Sequence, residues 1–259
     1  MEDIFTRSPV EWIDGVIPSF CTAAESIYDR RPATVDIYTG IAYGHLLFGE
    51  TAAEPLYERL AQMAIRAGEA GRILDVGCGA GRITYDCAPV LSDTDFVCVD
   101  LSKEMCRRAW RILVSGGELA LEGWEHRGRA GVVFRGARHL DNVRVARADV
   151  LDLPLAARSF DVVTAALVLC RVEDPMRALG EMVRVLRPGG RLILATPFAF
   201  NDAELWRRFW PGSELRRVLR GYGLEIEEWE DGVRYEEMID GNGNGHLYRV
   251  TVCGCRLGD

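Results

Sequence analysis

The chain has 259 residues, 48% hydrophobic and 27% charged, the composition of a globular protein able to bury a sizeable core. Its formal net charge of −8 gives no general attraction to phosphate backbones or anionic membranes, so nucleic acid is not an expected partner. The start, MEDIFTRSPVEWIDG, lacks a basic segment followed by an apolar one, and the longest uncharged apolar run, Val162 to Cys170, is less than half a membrane span.

Residues 1–70 read as mainly helical, with AEPLYERLAQMAIRAG the clearest helix, and are expected to form a cap that contributes to a substrate pocket. The cap carries Tyr28 in AAESIYDRR, and Tyr38, Tyr43 and His45 in VDIYTGIAYGHLLFGE. Tyrosine combines apolar bulk with a hydroxyl, which suits a substrate lid and equally suits packing of a cap onto a sheet. His45 is the histidine nearest the expected mouth, a candidate base or a structural side chain.

From about Gly71 the chain alternates short apolar runs with helical patterns. GRILDVG is a first strand, DFVCVD (95–100) a second, NVRVARADV (142–150) a third, SFDVVTAALVL (159–169) a fourth and RLILATP (191–197) a fifth. They are continuously apolar, as strands covered on both faces are. Between them, one helix runs from near Gly81 toward Leu91. Another starts on the N-cap Ser102 with Met105 at its third position. A third starts with Pro175 and stops at Pro188 and the Gly189–Gly190 pair. This rhythm implies an α/β fold with a parallel, doubly wound sheet. ELRRVLRGYG is a further helix, and the runs 224–231 and 246–255, joined by DGNGNG, form a terminal hairpin. The stretch 116–141 is long for a helix-to-strand connection and reads as an insertion. The eight cysteines (21, 78, 87, 98, 106, 170, 253, 255) include no CxxC pair and no zinc spacing, so reduced thiols, a cytoplasmic location and no metal are expected.

The chemistry concentrates at ILDVGCGAG. Glycines after a strand let a ligand touch the backbone, and the helix that follows adds free N–H groups. The dinucleotide pattern needs a third glycine where this chain has Arg82, which counts against a nicotinamide cofactor. Asp75 ends the first strand and must bond something to be tolerated there. Asp100 ends the second strand, where a carboxylate accepts from ribose hydroxyls. Asp149 ends the third strand, placed to accept from an adenine amine or to N-cap a helix.

Taken together, ILDVGCGAG, VCVDLS, ADVLDLPLAARSFDVV and EMVRVLRPGGRLILATP resemble, in order and spacing, the successive motifs of class I S-adenosylmethionine-dependent methyltransferases of the small-molecule branch. The resemblance covers about residues 71–200. It implies a Rossmann-like seven-stranded sheet whose last strand is antiparallel, with S-adenosyl-L-methionine as cofactor. It also implies a small-molecule acceptor methylated at oxygen, nitrogen or carbon, as in quinone or natural-product biosynthesis. It places Asp75, Gly77, Cys78 and Gly79 at the methionine end, Asp100 and Leu101 at the ribose and adenine, Asp149 and Val150 at the adenine edge, and Ala166 and Leu167 near the methionine moiety. Where many members carry histidines after the fourth strand, this chain has LCRV, so Arg171 either orients an anionic substrate or pairs with Glu173 or Asp174. A non-methylating reaction on the same cofactor, such as a cyclisation, stays open, as does the choice between monomer and homodimer.

Overall fold

The computed structural model describes residues 4–22, 26–49, 52–67, 71–125, 128–238 and 244–258. The five apolar runs form the parallel strands β3 (Arg72–Val76), β4 (Asp95–Asp100), β7 (Val143–Arg147), β8 (Phe160–Ala166) and β9 (Leu186–Thr196). They are numbered with β1 (Glu11–Ile13), β2 (Ile17–Ser19), β5 (Leu119–Ala120), β6 (Val133–Phe134), β10 (Leu224–Met238) and β11 (Gly245–Leu257). One sheet runs β1-β2-β7-β4-β3-β8-β9-β11-β10, with β11 antiparallel to both its neighbours. Seven of its strands are thus the expected doubly wound Rossmann-like set, last strand antiparallel.

Two strands are additional. The segment around residues 11–19, read from sequence as part of a helical region, is a β-hairpin on the outer edge of the sheet. Ser19 pairs with Arg147 of β7, and the Arg147 guanidinium donates to Cys21 O and Leu101 O at 3.0 and 2.8 Å. Hydrophobic periodicity is too short a signal over three-residue strands to reveal them.

Alternate strand residues feed two cores. Ile73, Phe96, Cys98, Val145, Val162 and Ile193 face one, and Leu74, Val97, Val99, Val163, Leu192 and Leu194 the other. Helices α7 (Pro175–Val185) and α9 (Gly212–Gly221) cover the second face. On the first lie α5 (Arg82–Cys87), α6 (Lys103–Trp110) and α4 (Glu54–Ala67). Helix α4, expected within the cap, buries Leu56, Leu60, Met63 and Ala64 against this face and so belongs to the sheet's own covering layer. Helix α8 (Ala203–Phe209) precedes α9. Among the described residues, no helix is long and apolar enough to cross a membrane.

The cap proper is α1 (Ile27–Arg30), α2 (Pro32–Ala42) and α3 (Gly44–Leu47). The 116–141 insertion buttresses it from within the chain. Trp124, fully buried, donates its indole N–H to Asp36 O of α2 at 3.1 Å, and Phe134 of β6 packs against Tyr43 and Tyr85. The Asp36 carboxylate accepts from the Glu122 N–H at 2.9 Å and from Arg108 of α6.

The join between cap and sheet is Arg82, the first residue of α5, 3% exposed. Its guanidinium donates to Ala42 O at the end of α2, to Glu54 at 2.8 Å and to Asp86 at 2.8 Å. A buried guanidinium is stable only while its partners are all present. Replacing it by a similar-sized apolar chain strands Glu54 and Asp86. Arg82→Met is therefore expected to cost about 3 kcal/mol of stability in urea unfolding, and a loss below about 1 kcal/mol would show that the cap holds without this join.

Candidate active site

Because β3, β4, β7 and β8 are parallel, their carboxyl ends share one edge of the sheet. The glycine turn leaves β3 there. Gly77, Gly79 and Gly81 all have positive φ, at 61°, 54° and 82°, the left-handed region that side chains disfavour. Their roles differ. A Cβ on Gly77 would come within 2.5 Å of Val168 Cγ2, and one on Gly81 within 2.6 Å of Leu113, so these two permit packing. A Cβ on Gly79 would meet nothing within 4 Å, so this glycine opens onto free space at the strand ends. Cys78, between them, donates its N–H to Val99 O at 3.0 Å and is half-buried.

Asp100 faces the same turn. One carboxylate oxygen accepts from the Gly79 N–H at 2.9 Å, the other from the Ser102 N–H at 2.9 Å. Each oxygen keeps a further lone pair for an incoming hydroxyl. Burial raises the pKa of this carboxyl, opposed by the backbone N–H groups of Ser102 and Gly79. Leu101 beside it is exposed. Asp75 instead lies beneath the turn, 2% exposed, accepting from Thr164 Oγ1 at 2.8 Å and Thr84 Oγ1 at 3.1 Å. Burial pushes its pKa up to about 6. Asp149 accepts from the Leu151 N–H at 2.9 Å and so N-caps the single turn Val150–Asp152, leaving Val150 half-buried at the edge. At the end of β8, Ala166 is followed by Leu167 with φ of 61°, held by its N–H to Ala195 O at 2.8 Å. A leucine in that region is strained and kept there by its surroundings.

The cap reaches this edge through Asp29. Its carboxylate accepts from Ser102 Oγ at 2.7 Å and from the Glu104 N–H at 3.1 Å, so α1 is fastened to the start of α6, next to Asp100. Its neighbour Tyr28 is half-buried, edge-on to Tyr38 of α2 with ring centroids 5.5 Å apart. Burial raises the pKa of both hydroxyls, and Arg171, in the loop after β8, lowers them through space. Arg171 thus lies within electrostatic reach of Tyr28 and Tyr38, and Asp174 N-caps α7 at 3.0 Å from the Arg177 N–H. Tyr43 and His45 lie elsewhere. Tyr43 is fully buried behind the glycine turn and donates to Ala80 O at 3.0 Å. The His45 ring sits 3.1 Å from Arg82 and 3.3 Å from Glu54, its pKa lowered by burial and by Arg82.

A further wall comes from the terminal hairpin. The antiparallel partner of Thr196, the last residue of β9, is Thr251, so residues 245–250 and their partners on β10 overhang the carboxyl edge. Along this arm Val233 pairs with Val250, Tyr235 with Tyr248 and Glu237 with His246, all on one face. The valines are buried and the outer pair reaches the mouth. Glu237 is half-buried, its pKa raised by burial and lowered by Arg171. Sequence reading missed Tyr235, Glu237 and Tyr248, although their alternation (Val233, Tyr235, Glu237; His246, Tyr248, Val250) is legible as one strand face. The turn joining the strands, residues 239–243, which include the first four of the DGNGNG stretch, lies outside the described residues.

A methyltransferase-domain family model matches residues 74–194. The chain is 32% identical over 201 residues to the 27-O-demethylrifamycin SV methyltransferase of Amycolatopsis mediterranei, covering 72% of this chain and 65% of that one. It is 30% identical over 172 residues to an O-methyltransferase of Aspergillus nomiae, covering 62% and 67%. Against these and similar curated relatives it spans 37–67% of their own length. The fold matches that of the N-methyltransferase NodS from Bradyrhizobium japonicum WM9, solved with S-adenosyl-L-homocysteine, at TM-score 0.52 and 19% identity over 79% of this chain and 86% of that one. This chain belongs to the class I S-adenosylmethionine-dependent methyltransferases.

Two outcomes check the geometry. The folded chain holds the Asp75 proton more tightly than the unfolded chain, so this group's contribution to stability is present below about pH 4 and lost as pH rises through about 6. Asp75→Asn removes that loss, and its stability should fall less than the wild type's between pH 4 and 7, by up to about 3 kcal/mol. Parallel pH curves for the two proteins would mean that Asp75 is ionised throughout. Asp100→Ala should weaken S-adenosylhomocysteine binding by roughly 1–3 kcal/mol in calorimetry, and unchanged affinity would place the cofactor elsewhere.

Proposed function

We propose that this chain transfers the methyl group of S-adenosylmethionine to a small-molecule acceptor bound between the cap and the β10–β11 arm. One observation carries the proposal. The open cradle at Gly79, the Asp100 carboxylate and the arm's polar face all converge on one edge of the sheet.

The residues fit the cofactor. Gly79 leaves room for a ligand against the backbone, and Asp100 has acceptor capacity for ribose hydroxyls. Leu101 and Val150 offer apolar contact for an adenine. When bound, the cofactor supplies an activated methyl on a sulfonium, so the protein's share is alignment and exclusion of water. In this reading Asp75 does not touch the ligand but holds the turn from below, through Thr84 and Thr164. Asp149 shapes the adenine edge by capping the turn that presents Val150. Tyr43 and His45 secure the cap, and the acceptor meets Tyr28, Tyr38 and Arg171. The acidic chain supports a small molecule in preference to a nucleic acid.

Incubation with methyl-labelled S-adenosylmethionine and a library of phenols, amines and carbon acids, read by mass spectrometry, tests the proposal. Label should appear in a subset of the library in proportion to S-adenosylhomocysteine formed. Cofactor binding with conversion of library compounds but no label in them would instead assign a non-methylating reaction such as a cyclisation.

A further inference from the structure

The acceptor side of the site contains two charged groups of opposite sign whose roles the methyl donor does not explain. Arg171 is exposed at the mouth and pairs with no carboxylate among the described residues. Its charge acts on the Tyr248 hydroxyl, from the arm. Glu237 projects from the same face of the arm as Tyr235 and Tyr248, one strand pair nearer the tip. Arg171 and Glu237 act on each other through space without forming a contact pair. Tyr28 and Tyr38, edge-on to each other, lie in the field of the same two charges. A tyrosine-bordered mouth with a cation on one side and a carboxylate on the other has a definite chemical preference. Aromatic faces take an aromatic ring. The guanidinium favours an oxygen that gains negative charge and disfavours a cationic amine. The carboxylate accepts the proton that such an oxygen gives up.

Resting on the methyl-transfer reading above, we infer that the acceptor is a hydroxylated aromatic ring whose oxygen faces Arg171 and whose proton passes to Glu237. In that step the acceptor oxygen forms a bond to the methyl carbon as the methyl–sulfur bond breaks. The bonding pair stays on sulfur, which leaves as a neutral thioether, and the hydroxyl proton moves to the Glu237 carboxylate. No oxidant or metal is required. Glu237 replaces, from the opposite end of the chain, the base that the LCRV run after β8 does not provide. Half-burial keeps its proton affinity above that of an exposed carboxyl, closer to that of a phenol.

Two readouts test this on the full chain saturated with S-adenosylhomocysteine or S-adenosylmethionine. The first is binding of 4-nitrophenol at a pH where the free probe is mainly protonated. Its visible anion band should grow on binding to the wild type and not to Arg171→Gln. The second is labelled methyl transfer to matched one- to three-ring phenols, arylamines and methyl ethers. Phenols should be the acceptors. Glu237→Gln should lower kcat about 100-fold with KM little changed, and Glu237→Asp should recover part of it. All variants should keep wild-type affinity for S-adenosylhomocysteine, which shows that they fold. No visible band, label in amines and not phenols, or undiminished kcat in Glu237→Gln would overturn the inference while leaving methyl transfer standing. No label in any compound class would overturn methyl transfer and this inference together.

Discussion

A single buried cation holds the two halves of the molecule in register. Arg82 sits where a dinucleotide-binding turn would need a glycine, and its guanidinium joins the cap at Ala42 O to the sheet's covering helices at Glu54 and Asp86. It stands one residue beyond the glycine turn. The glycine turn and the residue that ties the cap are therefore contiguous in the chain. Tyr43 adds a second tie, from the cap to Ala80 inside the turn. Any displacement of the cap therefore pulls on the backbone of the glycine turn.

On the opposite side of the mouth the coupling runs through carboxylates. Asp100 accepts from Gly79 and Ser102, and Ser102 donates onward to Asp29 of α1. Tyr28 is carried by that last link. Tyr28 is thus positioned through the run of hydrogen bonds that begins at Asp100. The arm of β10 and β11 closes the remaining side, and it is long enough to do so because its strands continue past the end of β9.

Much of this was legible in the sequence. Continuous apolar strands and glycine punctuation were sufficient to define the doubly wound sheet, and the ordered motifs the methyltransferase family, because each depends on residues close in sequence. The edge hairpin around residues 11–19 was not legible, since its strands are three residues long and β2 is fixed mainly by a distant arginine, Arg147. The assignment of cap tyrosines was legible only by residue type. Tyr28 and Tyr43 read alike in sequence, yet one reaches the mouth and the other is a buried brace, a difference decided by packing against Phe134 and Ala80. Glu237 was invisible because nothing local marks a carboxylate in an exposed-looking strand. Its position comes from the pairing of residues more than fifty apart, Thr196 with Thr251.

The central claim is that the open space at Gly79 is where the methyl donor sits. Calorimetric titration of S-adenosylhomocysteine into Gly79→Ala measures it directly, because the added methyl group meets no protein atom within 4 Å and only the ligand would be displaced. The strain of a left-handed alanine should cost about 1 kcal/mol in thermal unfolding, whereas ligand affinity should fall at least about tenfold. Wild-type affinity in a folded Gly79→Ala protein would contradict the account.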